Sequence, residues 1–150
     1  MSGEVVIRAL TSEDTGRLTE IERRCFSCPW SERSFLASMA IPVSVWLGAE
    51  SDGEIVGFIG AVSVAGEAEI LDIAVEPECR CRGIGRTLLK AMLEHIKADG
   101  ADTVFLDVRC SNAPALGLYR SFGFETYTVR KDYYTSPRED AFGMRLAFDS

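Results

Sequence analysis

The run ILDIAVEPECRCRGIGRTLL, Ile70 to Leu89, decides how the rest of the chain is read. Its first part, through Val75, is apolar and rich in branched side chains, as a buried strand is. Pro77 ends that strand, because proline has no N–H to give to a ladder. Its last part opens an amphipathic helix over residues 84–97, in which Ile84, Leu88, Leu89, Leu93 and Ile96 mark one face. Between strand and helix lies Arg80-x-x-Gly83-x-Gly85. Glycines there let the backbone turn tightly and approach a ligand with no side chain in the way. The helix start beyond offers unpaired N–H groups and a positive dipole end. Such an arrangement suits a pyrophosphate. Arg80, Arg82 and Arg86 add positive charge in a chain whose net charge is −7. A glycine-rich turn with solvated arginines has the same spacing, and spacing alone leaves both readings open.

Two other phosphate motifs are excluded. A dinucleotide fingerprint needs a small third residue where Leu88 stands, and a P-loop needs Gly-Lys-Ser/Thr, which the chain lacks. Cys25-x-x-Cys28 with Cys79-x-Cys81 could in principle offer four thiolates to zinc. The second pair has one intervening residue, and His95 belongs to a different helix. Cys25-Phe-Ser-Cys28 also closes a helix, whereas a redox pair opens one after a strand. No metal is expected, and Cys25 and Cys110 read as small packing residues.

Outward from this run, strands and helices alternate. EVVIRAL is a strand. Thr11–Ser12 caps a helix carrying Leu18, Ile21 and Cys25, and Ser31 caps a short one carrying Phe35, Leu36 and Met39. VSVWLGAE and EIVGFIGAVSV flank the hairpin turn SDGE. DTVFLDVR is a strand. NAPALGLYRSF is a helix with Asn112 as N-cap and Pro114 in its first turn, ended by Gly123. FETYTVRKDYY and AFGMRLAF close as strands. The order β-α-α-β-β-β-α-β-α-β-β predicts one α/β domain over residues 1–150, with a mixed sheet of about seven strands and about four helices. A chain of 150 residues, 47% hydrophobic and 26% charged, suits one soluble globular domain. The acidic balance argues against a nucleic-acid surface. No apolar run reaches the length of a membrane span, and the first residues do not read as a secretory signal. A cytoplasmic location with reduced cysteines is expected, with neither nucleic acid nor membrane as partner.

The opening run resembles the coenzyme-binding motif of the GCN5-related N-acetyltransferase (GNAT) superfamily, with its Gln/Arg-x-x-Gly-x-Gly/Ala loop. CFSCPWSERSF, FLDVRCSNAPALGLYRSFGF and VRKDYYTSPREDAFGM resemble, in order and spacing, segments of the RimI family of ribosomal-protein-alanine N-acetyltransferases. The resemblance covers nearly the whole chain. It implies a mostly antiparallel seven-stranded sheet with splayed central strands, and acetyl-CoA as cosubstrate. It implies that Ile73, Ala74 and Val75 pair with the pantetheine arm as an added strand would. It implies that Cys81, Arg82, Gly83, Ile84, Gly85 and Arg86 form the pyrophosphate loop, and that Asn112 contacts the coenzyme. Asn112 can be a plain helix cap at the same time.

The implied chemistry is acyl transfer from a thioester to the α-amine of a protein N-terminus, expected to be a basic ribosomal protein. Such a reaction needs a neutral amine, a polarised carbonyl and a proton for the leaving thiolate. By the resemblance Asp107 is the general base, although the family residue is typically glutamate, whose carboxylate reaches about 1.5 Å further. A carboxylate inside the strand VFLDV needs a reason to be there; the plain alternative is an ion pair, for which Arg109 is the candidate partner. Glu69 and Asp72 are the alternative bases. Tyr119 matches the general acid; by helical spacing it also reads as a core tyrosine. Trp30, Tyr133 and Tyr134 are expected to frame the acceptor, although a tryptophan between Pro29 and Ser31 is as readily a core plug. The alternatives are an acetyltransferase of the same superfamily acting on a small amine or another protein, and a non-catalytic acyl-CoA-binding module.

Overall fold

A computed structural model describes residues 4–80 and 82–148. Among them the chain forms seven strands, four α-helices and two short 3-10 turns. The strands are β1 (Val6–Ala9), β2 (Ser44–Ser51), β3 (Glu54–Val64), β4 (Glu67–Val75), β5 (Thr103–Arg109), β6 (Glu125–Thr135) and β7 (Arg138–Ala147). The helices are α1 (Thr15–Cys25), α2 (Glu32–Met39), α3 (Ile84–Ala98) and α4 (Ala113–Ser121). They build one sheet in the order β1-β2-β3-β4-β5-β7-β6. Every neighbouring pair is antiparallel except β4 and β5. The element order and the mixed, mostly antiparallel sheet are those expected from the sequence.

Local chemistry places the ends. Thr11 and Asp14 form a reciprocal capping box ahead of α1, so the first helical residues are a 3-10 turn over Ser12–Asp14. The Ser31 and Asn112 side chains accept from the backbone N–H of Ser34 and Ala115, starting α2 and α4. Asp52 and Gly53 both take positive φ in the β2–β3 turn, the backbone that a two-residue hairpin demands.

Each face of the sheet carries a core. α3 and α4 cover one face through Ile84, Leu88, Leu89, Met92, Ile96, Leu116 and Tyr119, packed on Ile59, Ile70, Val104 and Leu106. α1 and α2 cover the other through Leu18, Ile21 and Phe35, packed on Trp46, Ile55, Phe58 and Ala74. Phe35 and Phe58 are fully buried, worth about 1.5–3 kcal/mol each. Gly60 makes this second core possible: a Cβ there would sit 2.4 Å from the Trp46 ring.

The two middle strands separate. β4 and β5 pair only at Glu67–Thr103, Ala68–Val104 and Glu69–Phe105. Beyond that point Ile70–Val75 and Leu106–Arg109 diverge, and a gap opens in the centre of the sheet. β4 also carries one extra residue at this place, since Gly60 faces Asp72 while Ala61 faces Ile70, leaving Leu71 bulged.

Candidate active site

One wall of the gap is backbone. Ile73, Ala74 and Val75 pair with Ile59, Phe58 and Gly57 on β3, and their other edge faces the gap. Val75 O there accepts from Cys25 Sγ at 3.3 Å and the Ile73 N–H meets the Asp72 carboxyl, and the other backbone groups of that edge are left to pair with an extended ligand. α3 starts at the mouth of the gap. Gly83 is its N-cap, with φ +76, and among the described residues no side chain caps the helix and no atom lies within 4 Å of the place a Cβ would take. The first N–H groups of a 15-residue helix therefore meet an open cradle, which fits a pyrophosphate. Ile84 is buried in the core and holds the turn down; Gly85 lies against Leu118 and Val75. Arg82 is exposed at the cradle. Arg86 is tied to α4, stacking 5.1 Å from the Phe122 ring and donating to Ser121 Oγ at 2.9 Å. Cys81, expected in this loop, lies outside the described residues. Asn112 caps α4 through Oδ1, which accepts from Ala115 N at 3.3 Å.

The opposite wall is side chain. Asp107 on β5 stands across from Gly143 on β7, where a larger residue would crowd Thr128 and Asp107. Arg130 Nε donates to Asp107 Oδ1 at 2.8 Å, and Arg130 Nη2 donates to Tyr127 Oη at 3.2 Å. So the ion pair suggested with Arg109 forms instead with Arg130. Arg109 donates to Glu139 Oε1 at 3.2 Å and to Pro137 O at 2.9 Å, and lies 4.2 Å over the Tyr134 ring. Its direction follows from the β5–β7 register, which places it opposite Ala141, near the hairpin end.

Tyr119 is buried, and burial, then the Asp72 and Tyr134 groups, hold its phenol well above the ordinary range. It stays protonated at any physiological pH and is available as a donor. Tyr134 is pushed up to about 12, mainly by burial and then by the Asp107 charge. Tyr133 is half exposed, and burial followed by Asp107 raises it too. Asp107 thus acts on both hairpin tyrosines, and Tyr134 acts on Tyr119. Of the alternative bases, Glu69 is exposed at the point where the strands part, while Asp72 is half-buried against Glu22 of α1.

Trp30 packs as the core plug considered for it. Its ring packs at 5.2 Å from Phe35 and 5.7 Å from Trp46. Its backbone N–H donates to Glu22 Oε2 at 3.1 Å, which sets the Pro29–Trp30 turn beside Asp72 at the gap. The same loop reaches the β6–β7 hairpin: Ser27 Oγ donates to Ser136 O, and Cys28 Sγ lies 3.7 Å from that oxygen. Loop and hairpin together bridge the gap on the side away from α3.

Cys25 packs in the smaller core and donates to Val75 O at 3.3 Å; Cys79 packs on the larger one. Among the described residues no three His, Cys, Asp or Glu side chains are grouped to hold a metal ion. Arg130, Glu22 and Glu139 are absent from the sequence expectations. Glu22 alone carried a local signal: it lies on the apolar stripe of Leu18, Ile21 and Cys25.

Comparison with known proteins matches residues 16–124 to the acetyltransferase (GNAT) family. A Bacillus subtilis (strain 168) protein named putative [ribosomal protein bS18]-alanine N-acetyltransferase is 37% identical over 145 residues, covering 96% of each chain. The [ribosomal protein bS18]-alanine N-acetyltransferase of Escherichia coli (strain K12) is 35% identical over 144 residues, covering 93% of this chain and 95% of its own. The crystal structure of the ribosomal-protein-S18-alanine N-acetyltransferase from Escherichia coli superposes with a TM-score of 0.92 at 34% identity, covering 98% of this chain and 96% of that one.

Proposed function

The chain belongs to the acetyltransferase (GNAT) family, and on that premise we propose that it acetylates the α-amine of a protein N-terminus, an alanine-first ribosomal protein of the bS18 type being the acceptor. The observation that carries this reading is the gap that opens between β4 and β5 past Glu69 and Phe105. One side of it offers free strand edge and an uncapped helix start; the other offers a carboxylate, a buried phenol and aromatic rings.

Acetyl-CoA supplies the acetyl thioester. The β4 edge at Ile73, Ala74 and Val75 would hold its pantetheine arm, and the Gly83–Arg86 turn its pyrophosphate. The acceptor amine enters between the Trp30 turn and the Tyr133–Tyr134 hairpin. Asp107 accepts the amine proton, through a water because its side chain is short. Arg130 fixes Oδ1 and so aims the carboxylate. The α-amine has an ordinary pKa near 7.7–8.0, so much of it is neutral at physiological pH and the base has little to do. Tyr119 donates its proton to the leaving sulfur, which keeps the thiolate from returning. A cytoplasmic location goes with this reading, and among the described residues no helix is long and apolar enough to cross a membrane.

The test is mass spectrometry of peptides that differ in their first residue, incubated with acetyl-CoA alongside small amines. Acetylation of the α-amine, strongest for alanine-first peptides, is the expected result. Turnover of small amines with untouched peptides would assign a different acceptor.

A further inference from the structure

Two acids meet at the gap, Glu22 buried and Asp72 half-buried, and the mechanism above uses neither. Glu22 sits on the inner face of α1 with 1% of its surface exposed. Asp72 sits on β4 just past the bulge at Leu71, which turns it toward α1. Their carboxyls are within hydrogen-bonding reach of each other. Among the described residues neither forms an ion pair, and Glu22 Oε1 and Asp72 Oδ2 are each a buried oxygen at which no donor is aimed. Two carboxylates cannot both be ionised in such a place, since each would face the other's charge without water. A single proton between them removes the conflict, because the O–H of one then donates to the oxygen of the other. Burial and the Glu22 carboxyl both favour a proton on Asp72.

The remaining contacts say what the pair holds. Glu22 Oε2 accepts from the Trp30 backbone N–H at 3.1 Å. Helix α1, strand β4 and the Pro29–Trp30 turn therefore meet at one point. The titratable groups that face the pair are Tyr119 from α4, which feels Asp72, and Cys25 one turn along α1, which feels Glu22.

We propose that Glu22 and Asp72 act as a one-proton pair that fixes the Pro29–Trp30 turn against β4, making them positioning residues for the acceptor. This rests on the reading of that turn as the acceptor wall. Asp72 borders the coenzyme wall, since its carboxyl meets the backbone N–H of Ile73, whereas Glu22 holds the acceptor loop directly through Trp30. Loss of the pair therefore changes how the acceptor is held more than how acetyl-CoA is held.

Two measurements test it. Infrared spectroscopy in D₂O at neutral pH should find a protonated carboxyl band in the unaltered protein that Glu22→Gln and Asp72→Asn each remove. Steady-state kinetics should show that Asp72→Ala raises the KM of an alanine-first peptide about tenfold, as expected for a lost hydrogen bond to a charged group, with the KM of acetyl-CoA moved far less. Asp72→Asn should restore most of that loss, because its amide N–H can donate to Glu22 as the shared proton does. An unaltered protein with no such band overturns the pair, and this reading needs no variant to fold. A band with an unchanged peptide KM in Asp72→Ala, or with both KM values raised alike, overturns the positioning role. If the unaltered enzyme acetylates no peptide, the acceptor reading fails and takes the positioning role with it, while the infrared band still decides the pair.

Discussion

The two walls of the gap are made of different material. On the coenzyme side the groups that face a ligand belong to the backbone: the free edge of β4 and the N–H groups at the start of α3. On the acceptor side they are side chains held by other side chains, with Arg130 on Asp107, Arg109 under Tyr134, and Glu22 on Trp30 and beside Asp72. A backbone wall asks little of residue identity except room, so Gly83 matters there more than the side chains around it. A side-chain wall asks for particular partners, and one replacement there disturbs several neighbours.

Three substitutions sharpen this contrast. Tyr119→Phe removes the proton delivered to sulfur while keeping the ring in the core. It should lower kcat about 10²-fold, the lower end for general acid catalysis, with little change in the KM of acetyl-CoA. Steady-state rates with an alanine-first peptide read this, and a normal kcat would return Tyr119 to a purely packing role. Gly83→Val puts a branched side chain at φ +76 and fills the cradle. It should raise the KM of acetyl-CoA about tenfold and leave the peptide KM near its starting value. A folded variant with ordinary coenzyme affinity would move the pyrophosphate elsewhere. The smallest effect is expected from replacing Cys79 and Cys81 together by serine. Activity should stay within about twofold, because half-buried packing is all that Cys79 contributes. Stoichiometric zinc in the unaltered protein, lost together with activity in the double variant, would contradict this.

The same contrast explains what could be read before the structure was known. The α3 stripe, the glycine turn and the caps at Ser31 and Asn112 are local, so spacing within a few residues reveals them. The acceptor wall depends on pairings between distant segments. Strand alternation puts Ile70, Asp72 and Ala74 on one face. In the structure the Leu71 bulge sends Ile70 to the α3 side and Ala74 to the α1 side, and Asp72 goes with Ala74. Nothing in the strand's own composition announces that extra residue. Arg130 meets Asp107 just past another irregularity, the extra residue at Tyr127 on β6, where Thr126 faces Met144 and Thr128 faces Gly143. Arg109, two residues on and of the right charge, is engaged by Glu139 instead. The family resemblance supplied Asp107 and Tyr119, but it named neither Arg130 beside Asp107 nor Glu22 beside Asp72.

The central claim is that Asp107 takes the amine proton at the point where β4 and β5 part. The most direct test compares Asp107→Asn with Glu69→Gln and Asp72→Asn on one alanine-first peptide, by kcat/KM at a single pH. Asp107→Asn should lose about 10²-fold, and the other two should lose far less. If Asp107→Asn is fully active while Glu69→Gln or Asp72→Asn is dead, Asp107 is a structural partner of Arg130 and the base lies on β4.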